Sequence, residues 1–241
     1  MLTPTAAEEF SAHDCEEKHW LAAGMSRRTM LAASMALAGA ALAGAALAGA
    51  AQVFAQAAAR PTSEDALGPF FPLTLPADTD FDMTMIQGNK ARAAGQLLYL
   101  SGRVLNTKGE PVSGAVLEVW QANAVGRYAH PGDDSKAPLD SNFQGYARIV
   151  TGADGGYRLK TINPGPYGGR TRHIHFDIKG TKSRVISQMY FEGEAKNESD
   201  GLFKRQSESA RKTLLAKPIA PTSDQEKDAL VMNWDVVLAF G

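Results

Sequence analysis

The chain has 241 residues, 44% of them hydrophobic and 21% charged, with a formal net charge of −1. This is the composition of an ordinary soluble globular protein, long enough for one large all-β domain or two small ones. It has no basic excess with which to hold nucleic acid, and a single cysteine, Cys15, rules out a disulfide framework within the chain.

Residues 1–57 read as an export signal and not as fold. Ser26-Arg27-Arg28-Thr29-Met30-Leu31 has the form of a twin-arginine opening, an Ala/Gly-rich tract repeating ALAGA follows, and Ala55-Gln56-Ala57 offers a small-x-small cleavage pattern. The tract is also long enough for a retained membrane anchor, for which about 20 apolar residues suffice. Cleavage would remove Cys15, three of the 25 basic and five of the 26 acidic residues, leaving 22 against 21. A mature chain without thiols must hold any metal through His, carboxylate or Tyr. The expected destination is the periplasm, with membrane contact through the signal alone.

Residues 58–95 are irregular, with the stiff stretch Gly68-Pro69-Phe70-Phe71-Pro72, and are expected to wrap over a core. From there on, short β-rich runs recur at 97–105, 112–121, 145–151, 157–161, 173–179, 184–191 and 231–240. Asn106-Thr107-Lys108-Gly109 and Ala153-Asp154-Gly155-Gly156 supply residues that close hairpins. Seven strands with short turns predict an all-β fold, one antiparallel β-sandwich over 96–241 and not a βαβ unit. Residues 194–228, rich in Lys, Glu, Ser and Asp, read as a surface excursion with a helix near 208–215.

His173-Ile174-His175-Phe176-Asp177-Ile178 alternates strictly, so in a strand the apolar residues face one side and both histidines the other. The two imidazoles are then roughly 6.6 Å apart at the backbone, close enough to converge on one metal ion. Taken alone, the pair reads sooner as an ordinary hydrogen-bonded pair on a half-exposed face. His175-Phe176-Asp177 also fits the His-x-Asp element of a 2-His-1-carboxylate triad, but no third histidine lies downstream and only His130 lies upstream in the mature chain. Tyr167 sits in the rigid loop Asn163-Pro164-Gly165-Pro166-Tyr167-Gly168-Gly169 and Tyr128 in another irregular stretch. Each tyrosine, considered singly, reads as a packing residue with a satisfied hydroxyl.

Val119-Trp120-Gln121-Ala122-Asn123-Ala124, Gly126-Arg127-Tyr128, Ala137-Pro138-Leu139-Asp140, Pro164-Gly165-Pro166-Tyr167, His173-Ile174-His175-Phe176 and Gln188-Met189-Tyr190-Phe191 together resemble the intradiol ring-cleavage dioxygenases, most closely the protocatechuate-cleaving branch. The resemblance runs over roughly residues 62 to 192 and the final strand. It implies a non-haem Fe(3+) held by Tyr128, Tyr167, His173 and His175, and a transthyretin/prealbumin-like sandwich. It implies as partners a catechol-type aromatic diol and O2, with ring cleavage between the hydroxyls to a muconate-type product, and leaves room for a homo-oligomer. By the same resemblance Tyr167 is the ligand that leaves and takes a proton, Arg170 faces the developing anion, and Gln188 orients that arginine or a hydroxyl. A solvated loop arginine and an ordinary strand glutamine are the plainer readings of the last two. The chain departs from the branch in its short loop between Tyr167 and His173, where Gly169 replaces a large aromatic residue, which leaves the identity of the diol open.

Leu100-Ser101-Gly102-Arg103-Val104, Gly109-Glu110-Pro111-Val112-Ser113-Gly114-Ala115 and Asp154-Gly155-Gly156-Tyr157 are also similar to transthyretin-like and carboxypeptidase-regulatory-like β-sandwich binding modules, which have no catalysis of their own. Fold alone does not separate the two readings. The set Tyr128, Tyr167, His173 and His175 does, because a binding module has no reason to keep it.

Overall fold

A computed structural model of the chain describes residues 59–240. Strands β1 (Leu97–Asn106) and β4 (Gly156–Ile162) pair antiparallel, with Leu98, Leu100, Val104 and Leu159 turned into the core. Gly102 of β1 faces the Trp234 carbonyl, where an added Cβ would lie 1.9 Å from the oxygen, so no side chain fits at that crossing. Asn106 closes the turn after β1, its side-chain oxygen accepting the N–H groups of Lys108 at 2.9 Å and Glu110 at 3.0 Å.

The remaining strands are β2 (Val116–Trp120), β3 (Tyr146–Val150), β5 (His173–Lys179), β6 (Arg184–Phe191), β7 (Leu215–Pro218), β8 (Leu230–Asn233) and β9 (Val236–Leu238). They run in the order β3-β2-β5-β6-β7-β8-β1-β4, with β9 paired to β1 beyond this path. Few helices accompany them, and the fold is all-β. The expectation of purely antiparallel pairing is corrected: β1 pairs parallel with β8 and β9, and β6 pairs parallel with β7. The run predicted at 231–240 breaks in two because Asp235 Oδ1 takes the Arg103 N–H at 2.8 Å, a bond that the ladder would otherwise supply. Residues of both halves of the strand path meet in one apolar core, where Phe176 packs on Trp234 with ring centroids 4.9 Å apart.

The excursion after β6 is not confined to the surface. It holds a 3-10 turn (Ala195–Ser199), helices α1 (Gly201–Arg205) and α2 (Glu208–Leu214), and then β7. Phe203 and Leu214 bury against Tyr190, which gives these short helices the tertiary support that their length cannot. Among the described residues no helix is long and apolar enough to cross a membrane, and residues 1–57, expected from sequence to be an export signal, lie outside them.

Candidate metal centre

Strand β5 is buried on both faces. Ile174, Phe176 and Ile178 enter the main core, while His173 and His175 are each 1% exposed on the opposite side. That side is covered by the segment preceding β1, which hydrogen-bonds to β6 through Asp65 N–H to the Ile186 carbonyl at 3.0 Å and through Gln188 Nε2 to the Ala66 carbonyl at 2.6 Å. Trp120 stands opposite His175 in register and stacks on its ring at 5.0 Å, which fixes the imidazole plane. On the other flank, a Cβ at Gly68 would lie 2.8 Å from His175 Cε1.

The tyrosines come from two loops clasped backbone to backbone. Asn123 ties the first, its Oδ1 accepting the N–H of Val125 at 3.1 Å and of Arg127 at 2.9 Å. Its carbonyl receives the Gly165 N–H of the second loop at 2.9 Å. Gly126 has φ +80°, and a Cβ there would lie 2.3 Å from the Pro166 carbonyl, so the approach of the loops requires glycine.

Four polar atoms meet as a result. The Tyr128 hydroxyl donates to the Tyr167 hydroxyl at 3.3 Å, the Tyr167 hydroxyl lies 3.1 Å from His173 Nε2, and that nitrogen lies 3.2 Å from His175 Nε2. His173 Nδ1 is 2.6 Å from the Thr171 carbonyl, which can only accept, so Nδ1 carries the proton and Nε2 presents its lone pair. Burial, then the nearby Arg170 charge, lowers His173 to about 4. Burial, then His173 and Arg170, holds His175 well below its ordinary value, and burial raises both phenols above theirs. All four groups are therefore neutral at pH 7 without a cation.

The set does not close as a hydrogen-bond network. One lone pair on His173 Nε2 faces two neighbours, the Tyr167 hydroxyl and His175 Nε2. Donors about 2.1 Å from a common centre at neighbouring positions stand roughly 3.0–3.6 Å apart, so the observed separations suit one bound ion. Two phenols and two imidazoles favour a hard, highly charged cation that can hold phenolate. Among the described residues no group of three His, Cys, Asp or Glu side chains is placed to hold a metal, so an ion here depends on the tyrosines.

Asp177, whose His-x-Asp spacing fits the carboxylate triad that lacks its third histidine, is turned away. Both its oxygens receive Arg184 at 2.7 Å, and Lys179 lies 3.2 Å from it. His130 also stays outside the cluster, its ring 5.6 Å from that of Phe70 and its Nδ1 accepting the Gly132 N–H at 3.0 Å. Arg170 is not a solvated loop residue: Nε donates to Asp200 Oδ2 at 2.8 Å, and Nη2 to Gln188 Oε1 at 2.7 Å and the Tyr190 hydroxyl at 3.0 Å. Gln188 thereby touches Arg170 directly. Asp200, Tyr190, Trp120 and Phe70 were not read from the sequence as site residues, although Trp120 and Tyr190 stand in motifs that carry the family resemblance and Phe70 in the stiff Gly68–Pro72 stretch. Above Tyr167 a cavity of about 390 Å³ opens between Pro166, Gly169, Arg170, Lys196 and Ser199.

The family profile described as Dioxygenase matches residues 67–240. The protocatechuate 3,4-dioxygenase beta chain of Burkholderia cepacia is 40% identical over 168 residues, which cover 66% of this chain and 71% of that one. The alpha chain from the same organism is 30% identical over 166 residues, covering 65% and 83%. Among solved structures, the dioxygenase domain of a dioxygenase carbohydrate-binding protein fusion from Streptomyces sp. SirexAA-E matches with a TM-score of 0.57 at 29% identity, over 76% of this chain and 100% of that one. Catechol 1,2-dioxygenase from Acinetobacter sp. ADP1 shares the fold, with a TM-score of 0.57 at 23% identity over 74% and 63%. The chain belongs to the intradiol dioxygenase family, enzymes that cleave aromatic rings oxidatively, and the reading as a non-catalytic binding module falls away.

Proposed function

We propose that the chain is a non-haem iron(III) enzyme that opens the ring of a catechol-type diol between its two hydroxyls, consuming O2 and giving a muconate-type product. The observation that carries this reading is the run of Tyr128, Tyr167, His173 and His175, three of them buried and Tyr167 half-buried, with successive polar atoms 3.1 to 3.3 Å apart. Those four residues would hold the ion, which when bound would supply Lewis acidity that acidifies the two diol hydroxyls and makes the aromatic ring susceptible to O2.

The chain's own residues do the rest. Tyr167 stands at the cavity edge on a loop whose Gly168 and Gly169 have open space on the Cβ side, so its ring has room to swing outward and accept a diol proton at the phenol oxygen. Tyr128, 4% exposed and wedged beside Phe70, stays in place. Arg170 brings a fixed positive charge to the cavity wall, where negative charge develops as the ring opens. We read the two packed halves of the strand path as a transthyretin-like β-sandwich, in accord with their shared core. The Ser26–Leu31 motif supports twin-arginine export to the periplasm, and the relation to paired alpha and beta chains supports an oligomer.

The test is isotopic. Iron-loaded protein given catechol and labelled O2 should consume one O2 per diol and place both atoms in an intradiol product. Iron-loaded protein that consumes no O2 with catechol, protocatechuate or hydroxyquinol, or that cleaves beside the diol, overturns the reading.

A further inference from the structure

Asp200 has no place in the chemistry just described, yet its burial is complete at 0% exposure. It comes from the excursion between β6 and β7, which also lends Lys196 and Ser199 to the cavity wall. Its Oδ2 accepts from Arg170 Nε at 2.8 Å and from the Thr171 N–H at 2.9 Å. Its Oδ1 accepts the N–H groups of Leu202 at 2.9 Å and Phe203 at 3.1 Å, which anchors the carboxylate on α1.

Arg170 is gripped from the other side as well. Gln188 and Tyr190 hold Nη2, and the Tyr190 hydroxyl in turn donates to Asp65 Oδ2 at 2.8 Å. Nη1 takes part in none of these bonds, and Arg170 lines the cavity above Tyr167. Three contacts on two nitrogens fix the plane of the guanidinium, leaving Nη1 as the edge free to face a ligand. The bond to Thr171 reaches further, because the carbonyl of that residue receives the His173 Nδ1–H.

We propose that Asp200 is a positioning residue: it orients the charged Arg170 so that Nη1 is the donor offered to the diol, and it holds Thr171 in place behind His173. This rests on the functional reading above. Removing a buried, hydrogen-bonded carboxylate leaves an unpaired guanidinium that turns to find water.

The experiment compares wild type with Asp200→Asn, Tyr190→Phe and Arg170→Gln, and with each of the first two combined with Arg170→Gln. Asp200→Asn should lower kcat on catechol by about ten- to a hundredfold, the scale of a misplaced group, with KM little changed and iron retained. In the Arg170→Gln background it should cost little more, since both changes remove one device. An equal loss in both backgrounds, or no loss in either, overturns the proposal. Should Asp200→Asn fail to fold, Tyr190→Phe removes only a hydroxyl and must show the same dependence on Arg170, with a smaller loss. A second readout needs no turnover: in metal-free wild type the Arg170 Nε–H should give an exchange-protected NMR signal that Asp200→Asn abolishes. Its survival overturns the proposal. A wild type that cleaves no diol defeats the functional reading and leaves the NMR result to decide on Asp200.

Discussion

The Tyr167 hydroxyl stands 3.1 Å from His173 Nε2, although one residue rides on a Pro/Gly loop and the other on a buried strand. The loop side of that pair can move and the strand side cannot. Tyr167→Phe keeps the ring against Phe70, so it should retain iron while losing roughly 10² to 10⁴ in rate, the usual worth of a positioned acid-base group. Tyr128→Phe should instead alter the spectrum of the anaerobic diol complex. Iron per chain and O2 uptake measured on both variants separate the roles, and wild-type turnover by Tyr167→Phe would refute the internal base.

Gly68 bears on the centre without touching it chemically. Its φ is +77°, and an added methyl would lie 2.8 Å from His175 Cε1, while Trp120 stacked on the same ring leaves no retreat. Gly68→Ala should therefore weaken iron binding by about 10- to 100-fold, as changes behind a ligand do. Competition with a chelator measures this, and unchanged affinity would show that the ring is free to shift.

The histidines were legible because strand alternation places both on one face, and the positions of β5 and β6 follow from the same period. Less visible was what covers that face. Asp65, Ala66 and Gly68 lie more than 100 residues from His173 in sequence, and no local pattern announces a contact made by backbone groups. Asp200 was hidden for a related reason: a run rich in Lys, Glu and Ser looks like solvent-facing chain, and its burial depends on Phe203 and Leu214 finding Tyr190. The parallel pairings of β7, β8 and β9 escaped because short turns suggest hairpins, whereas these strands return over long connections.

Acid should destabilise the metal-free protein early. His173 titrates at about 4 in the folded chain because of burial first and Arg170 second, and His175 is likewise lowered. An unfolded histidine takes its proton near 6.5. Between about pH 6.5 and 4 the unfolded state thus binds more protons, and stability falls as pH falls. The thermal midpoint of chelated protein should decline through this window, and iron should offset the decline by occupying the same nitrogens. A midpoint that stays level from about pH 7 to 5 would contradict the neutral, buried assignment.

Export through a pathway for folded proteins would let iron be bound before the chain leaves the cytoplasm. Replacing Arg27 and Arg28 together by Lys should then leave unprocessed precursor in the cell, detected by size on a blot of fractionated cells. Unchanged processing would mean another kind of leader, or an anchor.

Binding of one ferric ion by two tyrosines and two histidines is tested most directly by the visible spectrum of the purified iron-loaded chain. Phenolate on iron(III) absorbs in the visible through charge transfer, so wild type with one iron per chain should be coloured, each single Tyr→Phe variant at 128 or 167 should show a weaker, shifted band, and the double variant none. Stoichiometric iron in a colourless wild-type protein would contradict it.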